Sequence, residues 1–285
     1  GAGPAATSRT SGTAYGPFPS APVAFATCAE LSHPRLLRPL RRPVRKLDLC
    51  LASLIRGVEK GHVARAIVVM AKLPRPGAVK TRLAPAVGQQ GASRLYTAFL
   101  KDVLRVVDTA AVRARAEALL FVGLPPDTQL SDAESLLLRE PQASWTLAAQ
   151  PSGNLGDRME AARIRTRAEA VLIVGSDAPH MPSGRLVEAL KHTRSGQVVV
   201  GPTEDGGYDC IGLHEDDTAP FDGIPWSTPE VLPTTRALCR QRGQSLKELS
   251  VAYDIDTYDD LQRALRSDAE MKCTRRAAQL DLPHT

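Results

Sequence analysis

Residues 66–83, AIVVMAKLPRPGAVKTRL, decide how this chain is read. A short apolar, β-branched run, Ala66 to Ala71, gives way to thirteen residues, Ala71 to Leu83, that hold two prolines, one glycine and four cations. An unbroken apolar run bounded by turn residues fits a strand buried on both faces. The basic loop that follows has two readings, a phosphate-binding loop or a solvated turn. Pro74 and Pro76 stiffen it, Gly77 permits close backbone approach, and Lys72, Lys80 and Arg82 can point charge into one crevice. It is not a Walker A loop, because Val79 precedes Lys80 where that motif needs glycine.

Outward from this stretch the pattern repeats. A helix is expected over 91–114, where Leu95, Phe99, Val103, Val106 and Ala110 recur at helical spacing. Next come ALLFVG (118–123), a helix near Asp132 to Leu138, WTLAAQ (145–150), a helix near Gly156 to Ala168, and AVLIVG (170–175). A helix near Ser183 to Lys191 leads to QVVVG (197–201), and helices near Pro229 to Arg242 and Tyr258 to Leu265 close the regular region. Apolar runs alternating with amphipathic helices imply an α/β fold with a mostly parallel sheet covered on both faces. Ligands of such sheets bind at the carboxyl ends of the strands, where the basic loop leaves the first one.

Composition excludes several classes. The chain has 285 residues, 43% hydrophobic, enough for a sizeable core, and contains no apolar run of the length a membrane span needs. Aromatic residues make up 4%, too few for a stacking platform on single-stranded nucleic acid. The formal charge is +5, yet residues 1–65 carry 10 Lys/Arg against 3 Asp/Glu, so the rest of the chain is slightly acidic. Such a body suits a small phosphorylated ligand better than a duplex. The five cysteines are odd in number, scattered and free of any C-x-x-C pair, and are expected to be free thiols of a reducing, cytoplasmic compartment.

Residues 1–62 read as a basic leader, rich in Ala, Gly, Ser, Thr and Pro to about residue 30 and expected to be disordered. Six cations lie between Arg35 and Lys46, ahead of a stretch from Leu47 to Val58 that fits a helix. Arg-rich, acid-poor sequence of this kind reads equally as an organelle-targeting segment or as an extension without a role. The transferase-like body is placed at 63–268, with a tail at 269–285.

Three more segments carry charge where a scaffold has no need of it. VGSDAPHM (174–181) runs an apolar strand into Asp177, a carboxylate at the strand end suited to a hard divalent cation; the alternative is a helix cap, for which Ser183 is the better candidate. GPTEDGGYDCIGL (201–213) reads either as a functional insert or as a hairpin with an Asp-Gly turn. Asp254 and Asp256 precede the last helix, with Thr257 as its N-cap.

Taken in order, AKLPRPGAVKTRLAP, QPSGNLGDRM, VGSDAPHM, GPTEDGGYDCIGL, IPWSTPEVLPTT and DIDTYDDL resemble the successive motifs of bacterial GT-A-fold transferases named for arsenosugar biosynthesis or for association with radical-SAM and selenium domains. The chain is more distantly similar to 2-phospho-L-lactate and molybdenum-cofactor guanylyltransferases. The resemblance implies a Rossmann-like three-layer α/β/α sandwich that binds a nucleotide sugar or a nucleoside triphosphate with Mg²⁺ or Mn²⁺. By the same carry-over Lys72, Gly77, Lys80, Thr81, Arg82 and Arg158 would serve the nucleotide, and Asp177 and Asp256 the metal. Glu204, Gly206, Gly207, Tyr208, Trp226, Ser227 and Thr228 would line the acceptor side, with Asp205 as base and Lys80 assisting departure of the nucleotide. Two positions depart from the family: Asp209 and Cys210 follow the tyrosine of DGGY, and His180 stands where an acidic or polar residue is usual.

The reading is thus a metal-dependent glycosyltransferase acting on a small-molecule acceptor. A nucleotidyltransferase that releases pyrophosphate shares the sheet, the loop and both aspartates. A non-catalytic nucleotide-binding module is the third reading.

Overall fold

A computed structural model of the chain describes Gly1 and residues 63–131, 145–217, 220–267 and 269–281. The leader, the stretch 47–58, the helix expected near 132–138, Cys28 and Cys50 lie outside the described residues.

The elements are β1 (Val63–Lys72), α1 (Ala84–Ala114), β2 (Glu117–Gly123), β3 (Trp145–Ala149), α2 (Leu155–Thr166), β4 (Ala168–Val174), α3 (Ser183–His192), β5 (Gln197–Pro202), β6 (Tyr208–His214), α4 (Val231–Gln241), β7 (Ser245–Glu248), α5 (Tyr258–Leu265) and α6 (Lys272–Asp281). The seven strands form one sheet in the order β3-β2-β1-β4-β6-β5-β7. Every pairing is parallel except those of β6, which runs antiparallel to both β4 and β5. The mostly parallel sheet expected from the sequence is therefore present.

Alternate residues of β1 explain the unbroken apolar run. Ile67 and Val69 pack into one core layer with Leu100, Val103 and Val107 of α1 and Leu186 and Leu190 of α3. Val68 and Met70 enter the opposite layer, with Met159 and Ala162 of α2 and Val231 and Leu232 of α4. Both faces of the strand are covered, so alternation disappears from its sequence. A third cluster, Val79, Leu83, Leu95, Phe99, Ile255, Leu261 and Met271, joins the basic loop to α1, α5 and α6.

Three local expectations change. Helix α1 begins at Ala84 rather than near 91, and its ladder breaks at Gly88 (φ 71°), so the predicted helix is its second, continuous part. Helix α3 is preceded by Pro182, with no side-chain cap, so Ser183 is the first helical residue rather than the cap. Residues 269–285, read as a tail, carry α6, whose first amides are bound by a side chain from α1. The Asp102 carboxylate, fully buried, accepts from Cys273 N at 3.1 Å and Thr274 N at 2.7 Å and pairs with Arg105 at 2.9 Å. A carboxylate at a helix N-terminus satisfies donors that the helix itself cannot. The Thr257 cap on α5 forms as expected, in a capping box with Asp260.

Asp102→Ala strips those amides of their acceptor inside a dry site. Loss of about 2 kcal/mol is expected, lowering the melting temperature by about 4–8 °C, with faster hydrogen exchange confined to α6. Unchanged protection of the 272–281 amides in the variant would contradict this docking.

Candidate functional site

Chain direction across the sheet reverses between β1 and β4, because β2 and β3 lie on one side of β1 and β4 on the other. The carboxyl ends of these two paired parallel strands border a crevice. Lys72 ends β1, while Gly175, Ser176 and Asp177 follow β4. Tyr96, reaching up from α1, holds the two ends together: its hydroxyl accepts from Lys72 N at 3.0 Å and shares a 2.9 Å hydrogen bond with Ser176 Oγ. Burial, then the Asp177 charge, pushes the Tyr96 phenol up to about 12, so it stays a neutral strut. Gln150 ties the neighbouring strand, its amide donating to Ala71 O (3.0 Å) and Phe121 O (2.7 Å) while its oxygen receives Arg158 Nη1 at 3.4 Å.

The basic loop enters this crevice through Lys80, which has a left-handed backbone (φ 47°) between the buried residues Val79 and Leu83. Its side chain is only 4% exposed, and its ammonium lies 2.6 Å from Asp177 Oδ1 and 2.9 Å from Asp256 Oδ1. Burial alone would lower the Lys80 pKa; the two carboxylates outweigh it and hold the group above its ordinary value. The two aspartates arrive by different routes, Asp177 from the end of β4 and Asp256 from the residue before the Thr257 cap. A backbone bond from Ile255 N to Asp177 O, 3.0 Å, fixes their segments side by side. Arg82 approaches Asp256 at 3.7 Å but is 75% exposed, so that pair adds little.

The crevice has two lobes sharing a wall. One, of 520 Å³, is lined by Lys72, Lys80, Thr81, Arg82 and Arg158. The other, of 570 Å³, is lined by Thr203, Asp205, Gly207, Tyr208, Trp226, Ser227 and Thr228. Asp177, Asp254 and Asp256 line both. Of the residues assigned from the sequence, Lys72, Lys80, Thr81 and Arg158 line the first lobe alone, Gly207, Trp226 and Thr228 the second alone, and Arg82, Tyr208 and Ser227 both, while three turn away. Gly77 sits on an exposed turn closed by Ala78 N to Arg75 O. Glu204 points to Arg263, which it binds through two 2.8 Å contacts. Gly206 (φ 88°) serves packing, since a Cβ there would lie 2.5 Å from Pro229 O.

The 201–213 segment takes the form of the second reading. It is a β5–β6 hairpin whose turn is organised by Asp205 Oδ1, which accepts from Thr203 Oγ1 (2.6 Å) and Gly207 N (3.0 Å), and the same turn forms part of the crevice rim.

Asp254 is the residue that sequence reasoning noted without assigning to the site. Burial, then the neighbouring Asp177 and Asp205, pushes its carboxyl up to about 7. Its spacing from Asp256 in YDID was the only available signal, and that spacing alone does not tell which carboxylate turns inward. Asp209, the departure after DGGY, underlies the crevice in a buried pair with Arg185, which donates from Nε at 2.9 Å and Nη2 at 3.2 Å. Gly201 makes room for it: a Cβ there would fall 2.1 Å from Asp209 Oδ1. His180, the other departure, stacks on Tyr253 with centroids 4.2 Å apart, and Arg263 covers the far face of the assembly at 3.8 Å from the Tyr253 ring. Cys210, Cys239 and Cys273 are free thiols.

Among the described residues no group of three or more His, Cys, Asp or Glu side chains gathers as a metal cage, and no helix is long and apolar enough to cross a membrane. Asp177 and Asp256 nonetheless converge on one cation, Lys80, through all-oxygen donors, which is the donor chemistry that a hard divalent cation takes.

Residues 106–228 match a family profile described as an uncharacterized protein conserved in bacteria, DUF2064. The chain is similar to a protein from Desulfovibrio desulfuricans G20 that its name assigns to the nucleotide-diphospho-sugar transferases, at 29% identity and TM-score 0.67, over 76% of this chain and 96% of that one. A cytidylyltransferase from Leptospira borgpetersenii aligns at 10% identity and TM-score 0.49, over 79% and 99% of the two chains. A CMP:2-keto-3-deoxy-manno-octonic acid synthetase complexed with CTP aligns at 13% and 0.46, over 76% and 99%. No curated protein sequence matches the chain. Neither the family description nor the Desulfovibrio protein's name mentions arsenic or selenium.

The His180 stack yields a prediction on acid stability. Burial first, then Arg263 and Arg185, lowers its pKa from 6.5 to about 4. Between those values the unfolded chain binds a proton that the native state does not, so stability is present above pH 6.5 and is lost as pH falls toward 4. His180 Nδ1 is buried without a partner. His180→Phe preserves the stack and removes the titration, so its melting temperature should decline less steeply than that of the wild type over this window, and be no lower at pH 7.5. Parallel thermal scans across the acid range check it; identical slopes would count against the assignment.

Proposed function

We propose that the protein is a nucleotide-using transferase that moves a glycosyl group from a nucleoside diphosphate sugar to a small acceptor. The observation that carries this is the meeting of Lys72, Lys80, Arg82 and Arg158 with Asp177 and Asp256 at the carboxyl ends of β1 and β4, and the likeness to the Desulfovibrio protein over nearly its whole length supports it. The cationic lobe would take the diphosphate. Arg158 is already oriented toward it by Gln150 and by the carbonyl of Asn154, to which its Nε donates at 3.2 Å.

The all-oxygen donor pair Asp177 and Asp256 fits Mg²⁺ or Mn²⁺. Such an ion would neutralise charge on the diphosphate as it departs. With the carboxylates so engaged, the Lys80 ammonium is left to pair with phosphate oxygens, where a charge-assisted bond opposes the negative charge of the leaving nucleotide. The acceptor hydroxyl belongs in the second lobe, beside Tyr208 and Trp226. Asp205 has its Oδ1 engaged by Thr203 Oγ1 and Gly207 N, which leaves Oδ2 to meet an acceptor hydroxyl. Asp254, on the wall common to both lobes, is placed to serve as an alternative proton acceptor.

Thermal-shift titration with nucleoside diphosphates and nucleotide sugars, with and without Mg²⁺ or Mn²⁺, followed by product analysis, tests the reading. Free nucleoside diphosphate is the expected product. Pyrophosphate from a nucleoside triphosphate, with no turnover of any nucleotide sugar, would replace it with nucleotidyl transfer. Lys80→Ala should weaken nucleoside diphosphate and nucleotide sugar binding alike, by about 10- to 150-fold for one charge-assisted contact. Asp177→Asn should keep the fold and lose the metal-dependent part of the affinity, and full affinity with Mg²⁺ present would exclude Asp177 from the metal.

A further inference from the structure

The two lobes differ in charge as well as in position. Apart from Arg82, which faces both, the second lobe is lined by no cation, and carboxylates and aromatic rings take their place. Of its five aspartates, Asp177 and Asp256 are balanced by Lys80 and Arg82, and Asp209 is balanced from beneath by Arg185. Asp205 remains without a cationic partner among the lining residues, and Asp254, pushed up to about 7 by burial and then by Asp177 and Asp205, is acted on by Lys80 from the first lobe. The floor is apolar: Met70, Met159 and Ile173 lie beneath Trp226, which meets Tyr208 edge-on at 6.4 Å and Phe221 at 6.0 Å.

We infer that this lobe selects an uncharged or cationic hydroxyl-bearing acceptor with an apolar body, and rejects acceptors that carry phosphate or carboxylate. The inference rests on the transferase reading and narrows it. Unless it reaches an ion held on the Asp177 and Asp256 wall, an anionic acceptor would have to approach Asp205 and Asp254 with only the solvent-exposed Arg82 to meet it. A neutral hydroxyl can use either aspartate as a hydrogen-bond acceptor while its body covers Trp226. An ammonium gains from both. The lobe therefore disfavours the phosphorylated acceptor that nucleotidyl transfer requires.

Trp226 reports the potential of the lobe directly. In full-length protein carrying Trp145→Phe, Trp226 is the remaining tryptophan, since the chain has two. Its fluorescence is quenched with iodide, acrylamide and caesium at constant ionic strength, each normalised to free N-acetyltryptophanamide. Iodide should be roughly threefold less effective than caesium, and Asp205→Asn with Asp254→Asn should remove the difference. In the same protein 2-phenylethylamine and 2-phenylethanol should shift the emission at lower concentration than 2-phenylethyl phosphate. Equal quenching by iodide and caesium, or tighter binding of the phosphate, overturns the inference. Failure to bind any nucleoside diphosphate while iodide is still excluded would instead remove the transferase reading and leave the charge of the lobe standing.

Discussion

The Lys80 ammonium held between Asp177 and Asp256 is the contact on which the arrangement of the crevice depends. A charge that is 4% exposed is tolerable only with close opposite charges, and the two carboxylates supply them from segments far apart in sequence. Each participant is fixed from behind. Val79 and Leu83 anchor the loop in the α1–α5–α6 cluster, the Tyr96–Ser176 bond anchors the end of β4, and the capped start of α5 anchors Asp256. Loss of one carboxylate leaves the buried ammonium a single partner, and loss of both would leave it unpaired, which costs far more than an exposed ion pair contributes.

The same economy of charge appears one layer below. Arg185 and Asp209 pair with side chains 7% and 2% exposed, and Arg185 Nη1 also donates to Ser250 O at 2.7 Å. This ties α3 and β6 to the segment that leads into Asp254 and Asp256. Gly201 is the condition for it, since any side chain on β5 at that point would occupy the volume of the pair. Crevice and scaffold thus meet at residues 250–256, where the Ile255 side chain is core, its amide binds Asp177 O, and its two neighbours at 254 and 256 carry the carboxylates.

Opposed chemistry in adjoining lobes is what a transfer reaction between unlike substrates needs. Cations gather on the β1 and α2 side and carboxylates with aromatic rings on the β6 side, with the aspartate wall between them. The basic loop divides along its length: Arg75 and Gly77 remain at the surface, and Lys80 goes to the interior.

The sequence by itself determined the strands that are buried on both faces, because covered strands are continuously apolar, and the helices whose caps are local, because Thr257 and Asp260 need only each other. It also carried the basic loop, Asp177 and Asp256, since side-chain type at the end of an apolar run is visible without coordinates. Only the tertiary structure decided the rest. Strand β7, SLKE, has no apolar pattern of its own and exists through pairing with β5. Tyr96 reads as one more core residue on a helical face until the ends of β1 and β4 come within reach of its hydroxyl. Gly77, Glu204 and Gly206 share motifs with crevice residues yet turn away from it, because neighbours in a loop point in different directions. Which carboxylates face a common cation depends on contacts 97 and 176 positions apart, and no local pattern encodes an encounter between segments that only packing brings together.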